Sequence, residues 1–425
     1  MANPSRRNFL KSAAAGAAAL SLPASVRAAA SANEEVRFGL IGCGIRGNAF
    51  VARASMVCDP DQARLDAAAK SAGVSPANAV TDLRRVLDNR ELDAVVIAAP
   101  DHWHAPAAIL ACQAGKHVYV EKPCSHNFRE SELLVAAARK NNVVVQHGTQ
   151  QRSCEFTRDA IQQLREGLIG DVLSAKAWNI QNRKDIGHAQ PGPVPAGVDY
   201  DAWVGPAEMV PFQSNRFHSD WHWWYNFGTG DVGNDGAHEI DYARWGLGVD
   251  TLPTKISAIG GKYFFDDDQQ FPDTATCIWE WPGDSGPRQL VFEMRLWTKN
   301  YPYNCDSGVE FFGTEGRMML SKRGKLIVVD GDNKTIRSEK ANDQLGWGHF
   351  DDFAAAIRDG HRPNAEIEEG HRSVGLIHLA NASLRVGRSL EFDPKNEQII
   401  GDDEASGLLT RTYRAGGHWA KPQGA

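Results

Sequence analysis

Two short apolar runs constrain the fold most: Val95-Val96-Ile97-Ala98-Ala99-Pro100-Asp101-His102-Trp103-His104 and Gly115-Lys116-His117-Val118-Tyr119-Val120-Glu121-Lys122-Pro123. β-branched runs without alternation are how strands buried on both faces of a parallel sheet read. The residues between them, 105–114, are mostly Ala, Ile and Leu and suit one short helix. Strand, helix, strand makes a right-handed crossover, and ligands sit at the carboxyl ends of such strands. Pro100-Asp101-His102 and Glu121-Lys122-Pro123 are therefore the two places where chemistry can be mounted.

Upstream, Val36-Arg37-Phe38-Gly39-Leu40-Ile41 reads as a first strand running into Gly42-Cys43-Gly44-Ile45-Arg46-Gly47, a G-x-G-x-x-G turn. Its glycines serve the tight turn, the close approach of a pyrophosphate and helix-on-strand packing, so the context predicts dinucleotide binding. Met56-Val57-Cys58-Asp59 resembles the end of a second strand, where a carboxylate takes the adenosine ribose diol and favours NAD over NADP. Only eleven residues, 48–58, separate Gly47 from Asp59. They must supply a helix, a turn and a strand, so the first crossover is foreshortened. Helices are expected over 61–73, 81–87 and 129–140, with another strand at 143–147. This alternation to about residue 150 predicts a doubly wound α/β domain.

Beyond a helical run at 156–166 the texture changes to strands and long loops: 173–180, 255–260, 275–281, 289–297, 308–313, 317–321 and 325–329. Several alternate apolar and polar residues, as a sheet with one open face does. A proline-bearing insertion spans 181–224, and helices at 350–359 and 369–386 precede a polar tail. The predicted division is a leader at 1–32, a dinucleotide-binding domain at 33–150, an α+β domain with a large, mostly antiparallel sheet at 151–395, and a tail at 396–425.

The leader is Ser5-Arg6-Arg7-Asn8-Phe9-Leu10-Lys11, a weakly apolar core at 12–22 and small residues through Ala32. That order is a twin-arginine export signal, which carries folded proteins and implies a periplasmic or secreted destination. The core is too short and too poor in Leu and Ile for a membrane span. Removing residues 1–32, which hold four basic and no acidic residues, takes the formal net charge from −7 to −11. A mildly acidic chain gives no reason to expect nucleic acid as a partner. Seven cysteines without C-x-x-C spacing indicate neither a zinc site nor a disulfide framework.

Three features carry chemistry. Lys122, at a strand end, can bond both a nicotinamide ribose and a substrate hydroxyl. Gly228-Thr229-Gly230-Asp231-Val232-Gly233-Asn234-Asp235-Gly236-Ala237-His238-Glu239-Ile240-Asp241 places His238 one helical turn from Asn234, Asp241 and Tyr242. A histidine there suits the base that hydride removal from an alcohol needs, or else caps buried carbonyls. The aromatic run 217–226 offers indole faces for a sugar ring, or else a hydrophobic anchor. His102, His104, His218 and His222 form no ligand set of known spacing, so no metal is expected.

Together the glycine turn, Ala99-Pro100-Asp101-His102-Trp103-His104, Glu121-Lys122-Pro123 and Gly233-Asn234-Asp235-Gly236-Ala237-His238-Glu239-Ile240-Asp241 resemble the glucose–fructose oxidoreductase, inositol dehydrogenase and rhizopine-catabolism (Gfo/Idh/MocA) family over about residues 36–390. The resemblance implies a Rossmann domain followed by an open-faced sheet domain, and assembly as a homodimer or homotetramer. It implies Lys122 and His238 as the catalytic pair, with Asn234 where the family often has aspartate and Asp235 adjacent. Expected cofactor contacts are Gly42, Gly44, Ile45, Arg46, Gly47, Asp59, Pro100, Asp101, His104, Glu121 and Lys122. Expected substrate contacts are Trp103, Gln150, Arg152, Trp221, Trp223 and Tyr225. The expected activity is NAD(P)-dependent oxidation of a secondary hydroxyl on a sugar, glycoside or cyclitol around a tightly held NAD. The alternatives are a glycoside-cleaving enzyme using transient oxidation and a sugar-binding protein on a degenerate scaffold.

Overall fold

The computed structural model describes residues 35–283, 286–341 and 348–425. The export signal lies outside them. The first domain is a six-stranded, wholly parallel sheet in the order β3-β2-β1-β4-β5-β6. Its strands are β1 (Phe38–Ile41), β2 (Met56–Cys58), β3 (Ala79–Val80), β4 (Ala94–Ile97), β5 (His117–Val120) and β6 (Val145–His147). Every residue of β1, β2 and β4 is buried, because helices cover both faces and no polar face is needed.

The first crossover is as short as its eleven residues demand: α1 (Asn48–Val51) is a single turn. A full-length helix, α2 (Gln62–Ala72), follows β2; Asp61 caps its N-terminus and Gly73 its C-terminus. α3 (Leu83–Asp88) joins β3 to β4. The helix between β4 and β5, α4 (Asp101–Gln113), starts four residues earlier than its alanine-rich run suggests, so Asp101 to His104 form its first turn. α5 (Phe128–Asn141) leads to β6.

The second domain begins with α6 (Glu155–Arg165) and β7 (Val172–Ile180). After the insertion, which holds α7 (Tyr200–Val204), come α8 (Gly230–Gly233) and α9 (Gly236–Leu247). Seven further strands follow: β8 (Lys255–Gly261), β9 (Thr274–Trp281), β10 (Arg288–Arg295), β11 (Ser307–Gly313), β12 (Gly316–Ser321), β13 (Lys325–Asp330) and β14 (Thr335–Lys340). With β15 (Leu390–Asp393) and β16 (Gln398–Ile400) they make one ten-stranded sheet, β14-β13-β12-β11-β7-β10-β9-β8-β15-β16. All pairings are antiparallel except β7 with β10. Strict alternation of buried and part-exposed residues along β9 and β10 leaves one face open. The polar edge strand β14 is almost wholly exposed, whereas β15 alternates buried Leu390 and Phe392 with Glu391 and Asp393.

Two C-terminal helices join the domains. α10 (Gly348–Asp359) returns to the parallel sheet, where Phe350 packs on Phe38 and Phe353 on Tyr119. α11 (Ile367–Val386) is buried along most of its length, and its apolar residues share one core with both sheets. All seven cysteines are buried. No helix among the described residues is long and apolar enough to cross a membrane.

Candidate active site

A cleft of about 890 Å³ runs along the carboxyl ends of β1, β2, β4 and β5 and is closed on its far side by the insertion and by Asn234-Asp235. The glycine turn forms one end. Gly42 has φ +92°, and a Cβ there would lie 2.6 Å from the Ala99 nitrogen. At Gly47 a Cβ would fall 2.0 Å from the Gly42 carbonyl oxygen, so neither position tolerates a side chain. A Cβ on Gly44 meets only the mobile tip of Arg64, at 2.8 Å. That face of the turn is open to the cleft, as a diphosphate would require. Among the described residues no acceptor takes the N–H of Ile45 or Arg46, while Asn48 and Phe50 bond back to Gly44 and Gly47. These features fit a dinucleotide, although the single-turn α1 supplies little helix dipole.

Asp59 directly follows β2 and lines the cleft. Its two oxygens accept from the backbone N–H of Cys43 (2.8 Å) and Asp61 (2.9 Å). The carboxylate therefore ties the glycine turn to β2, and burial raises its pKa. Glu121, at the end of β5, receives Arg46 Nε at 2.6 Å. Burial alone would raise Glu121, but the Arg46 charge holds it below the usual range. Asp101 is buried and receives Thr229 Oγ1 at 2.7 Å; burial pushes its pKa up to about 7. His104 stands between the carbonyls of Pro123 (2.6 Å) and Ala99 (2.7 Å) and so ties the ends of β4 and β5 together. Pro100, Asp101, His104 and Glu121 all line the cleft.

Lys122 follows β5 and precedes a cis Pro123. Its Nζ donates to the backbone oxygen of Asn234 at 2.6 Å and to Asn234 Oδ1 at 3.1 Å. The same amide donates through Nδ2 to Asp231 Oδ1 at 2.9 Å. Asp231, fully buried, also accepts from Arg183 (3.0 Å) and Asn179 (2.7 Å). Arg183, from the insertion, reaches Asp235 at 2.6 Å as well. The motif position that holds asparagine is thus oriented from both sides, with its oxygen toward the lysine and its nitrogen toward a carboxylate.

His238 lies half-buried in the first turn of α9. Its Nδ1 is buried and, among the described residues, takes no hydrogen bond. Neither Asn234 nor Asp235 grips the ring directly. Burial, then the positive charges of Lys322 and Lys122, push its pKa well below 6.5, which keeps the imidazole neutral. Lys322, from the β12–β13 turn, pairs with the buried Glu239 at 3.0 Å. Burial would raise Asp235, but Lys322, Lys122 and Arg183 hold it far below the usual range.

Other expectations need correction. Asp241 does not share the His238 face; it accepts twice from Arg152 Nε (3.0 and 2.9 Å) and once from Ser373 (2.6 Å). Tyr242 is wholly buried against the sheet. Arg152, expected at the substrate, belongs to that buried network and does not line the cleft. Gln150 donates to Tyr119 and Glu121, behind the cleft wall. In the aromatic run Trp221 and Trp223 line the cleft, whereas Tyr225 faces a second cavity, beneath Arg385. Trp103 lines the cleft at its opposite end, donating to the Trp203 carbonyl (2.9 Å) and packing against Trp419. Arg183, Asp231 and Lys322 are the contributors missing from the sequence reading. Of these, only Asp231 lies inside a motif singled out there.

Comparison with known proteins agrees with this architecture. Residues 36–149 match the model of the oxidoreductase family with a NAD-binding Rossmann fold, and residues 174–280 and 338–420 match the C-terminal α/β domain of the same family. Residues 3–23 match the twin-arginine signal model. The chain is 24% identical to scyllo-inositol 2-dehydrogenase (NAD⁺) of Bacillus subtilis over 85% of this chain and 97% of the relative. An α-N-acetylgalactosaminidase of Shewanella oneidensis is 29% identical over 44% of this chain, which spans 49% of that protein's length. Among solved structures, levoglucosan dehydrogenase in complex with NADH and levoglucosan superposes with a TM-score of 0.66 at 20% identity, covering 84% of this chain and 99% of that one. The chain therefore belongs to the Gfo/Idh/MocA oxidoreductase family, with a NAD-binding Rossmann domain, the family's C-terminal α/β domain and a twin-arginine signal.

Proposed function

We propose that this protein is a NAD-dependent dehydrogenase acting on a secondary hydroxyl of a sugar, glycoside or cyclitol. The observation that carries the reading is Lys122, held by Asn234 at the β5 strand end in one cleft with the glycine turn; its charge acts on His238, which follows Asn234 by four positions and stands behind the cleft lining. A bound nicotinamide would take the hydride from the carbinol carbon. Lys122 then donates to the substrate oxygen and stabilises its developing negative charge, most strongly where water is excluded. His238, kept unprotonated by burial and its cationic neighbours, accepts the hydroxyl proton as the hydride leaves. Trp221 and Trp223 give the substrate half of the cleft apolar faces for the C–H side of a ring. The sugar class is supported by the similarity to an inositol dehydrogenase and to a levoglucosan dehydrogenase. Transient oxidation during glycoside cleavage is the second reading, favoured by the partial match to the galactosaminidase.

The twin-arginine signal supports a periplasmic or secreted location, which cell fractionation checks. Steady-state kinetics test the chemistry. His238→Ala and Lys122→Ala should each lower turnover roughly 10²- to 10⁴-fold, and both should still bind NAD, because neither is assigned to the diphosphate. The double variant should fall short of the product of the two losses. Wild-type turnover in both single variants, on any sugar that yields NADH, would sink the assignment.

A further inference from the structure

The segment beyond β16, read as a polar tail, is tied to both domains. Arg411 pairs with Glu130 of α5 at 2.7 Å, side chains 6% and 0% exposed, and also donates to the His102 carbonyl at 2.9 Å. Tyr413 OH donates to the same Glu130 at 2.8 Å. Tyr413 also forms an antiparallel bridge to Ala207, and Arg414 pairs with Asp201 at 2.6 Å, both in the insertion. A buried ion pair with a shared tyrosine hydroxyl is a costly way to hold a segment that does nothing.

These anchors deliver Trp419 to the cleft, beside Arg84 and Trp103. The indole is 45% exposed there. The Arg84 guanidinium lies 4.8 Å from its ring centroid, and the Trp103 ring 6.1 Å away. Arg84 is itself fixed by Asp82 through Nε and NH2, at 2.6–3.0 Å. A second, independent segment closes on the same region. Gly197 and Val198 of the insertion bond to Gln62 and bridge Asp61, and Asp199 N–H donates to the Pro60 carbonyl at 2.9 Å. The residues so covered immediately follow Asp59.

In a doubly wound sheet with the diphosphate at the first glycine turn, one nucleotide lies over the ends of β4 and β5 and the adenosine over the ends of β2 and β3. Thr81, Asp82 and Arg84 belong to the β3 end. We propose that Trp419 forms the adenine-contacting wall of the cofactor site, with Arg84 positioning its indole, so that the C-terminal segment helps to retain the nucleotide. The proposal rests on the NAD reading. It gives a half-exposed tryptophan in a cleft a flat aromatic partner, and it assigns retention to a part of the chain that no nucleotide motif includes. Arg84 and Arg64 each already face a carboxylate, Asp82 and Asp61, so neither is a free cation for a 2′-phosphate.

Calorimetric titration of the cofactor-free mature chain separates the possibilities. Base stacking on an aromatic side chain sets an expected loss of roughly 5- to 100-fold in NAD affinity for Trp419→Ala. Trp419→Phe should recover most of it, and Arg84→Gln should show a smaller loss. Nicotinamide mononucleotide, which lacks the adenosine, should bind all variants as it binds the wild type, and AMP should lose as much as NAD. Unchanged NAD affinity in Trp419→Ala overturns the proposal, as does an equal loss for NAD and the mononucleotide. Absence of NAD binding in the wild type would instead overturn the cofactor reading itself.

Discussion

Arg152 offers a sharp test, because sequence reasoning placed it at the substrate and the structure places it in a buried network. Its Nε meets both oxygens of Asp241, its NH2 lies 3.3 Å from Glu369, and its guanidinium is 5.3 Å from the Trp245 ring. Arg244 and Arg372 share Glu369, and Ser373 Oγ completes Asp241. The network thus joins the turn after β6 to α9 and α11, away from the cleft. Asp241→Ala leaves two buried guanidinia, Arg152 and Arg244, with Glu369 as their one shared carboxylate. Breaking a buried pair by removing one partner costs about 3–5 kcal/mol, against about 0–1 for an exposed pair. At about 2–4 °C per kcal/mol for a domain of this size, the melting temperature of the cofactor-free protein should fall roughly 6–20 °C. Below that transition NAD affinity and KM should stay near wild type. Scanning calorimetry beside steady-state kinetics decides the matter. An Arg152→Met or Asp241→Ala protein with unchanged melting temperature and a KM raised tenfold would place Arg152 at the substrate and refute the structural role.

Two further expectations concern protons. His102, His147 and His378 are at most 5% exposed, and burial pushes their pKa values down to about 3, 4 and 3. A depressed histidine pKa means that the unfolded chain takes up protons first. Stability should therefore hold above about pH 6.5 and fall as the pH drops toward 4, by about 1.4 kcal/mol per unit for each such histidine; urea midpoints flat from pH 6.5 to 5 would contradict this. At the active site, Lys322→Met removes the cation that most depresses His238 after burial. The acidic limb of kcat/KM should then move to higher pH, while Glu239→Gln, which keeps the lysine, should move it the other way or not at all.

The parts of the fold legible in the sequence are those whose order is decided locally. The unbroken apolar runs of β1, β4 and β5 announce a parallel sheet, and eleven residues between Gly47 and Asp59 leave room for one helical turn, which is what α1 is. Within the site, Lys122, the glycine turn and the Asn234–His238 stretch come from motifs with fixed spacing. Long-range pairing decides the remainder. Nothing near Arg152 signals a carboxylate 89 positions away, and nothing near Arg411 signals Glu130, 281 positions before it. Sequence proximity groups Tyr225 with its aromatic neighbours, but the chain passes through a single 3₁₀ turn, Asp220–Trp223, and then leaves the cleft wall, so that Trp221 and Trp223 remain in the cleft and Tyr225 enters the second cavity.

The asparagine at 234 shows how a departure from a family pattern can leave the local electrostatics nearly intact. An aspartate there would sit against Lys122 Nζ and also 2.9 Å from Asp231, two carboxylates in a buried space that one arginine already shares. Like charges so close cannot both stay ionised at neutral pH. The amide removes that conflict, because it offers an acceptor to Lys122 and a donor to Asp231. The negative charge that offsets Lys122 then comes from Asp235, which Lys322, Lys122 and Arg183 keep ionised. Lys122 is thereby oriented by a neutral group and balanced by a charged one beside it. The residue at 234 sets geometry, and the residues at 231 and 235 set charge.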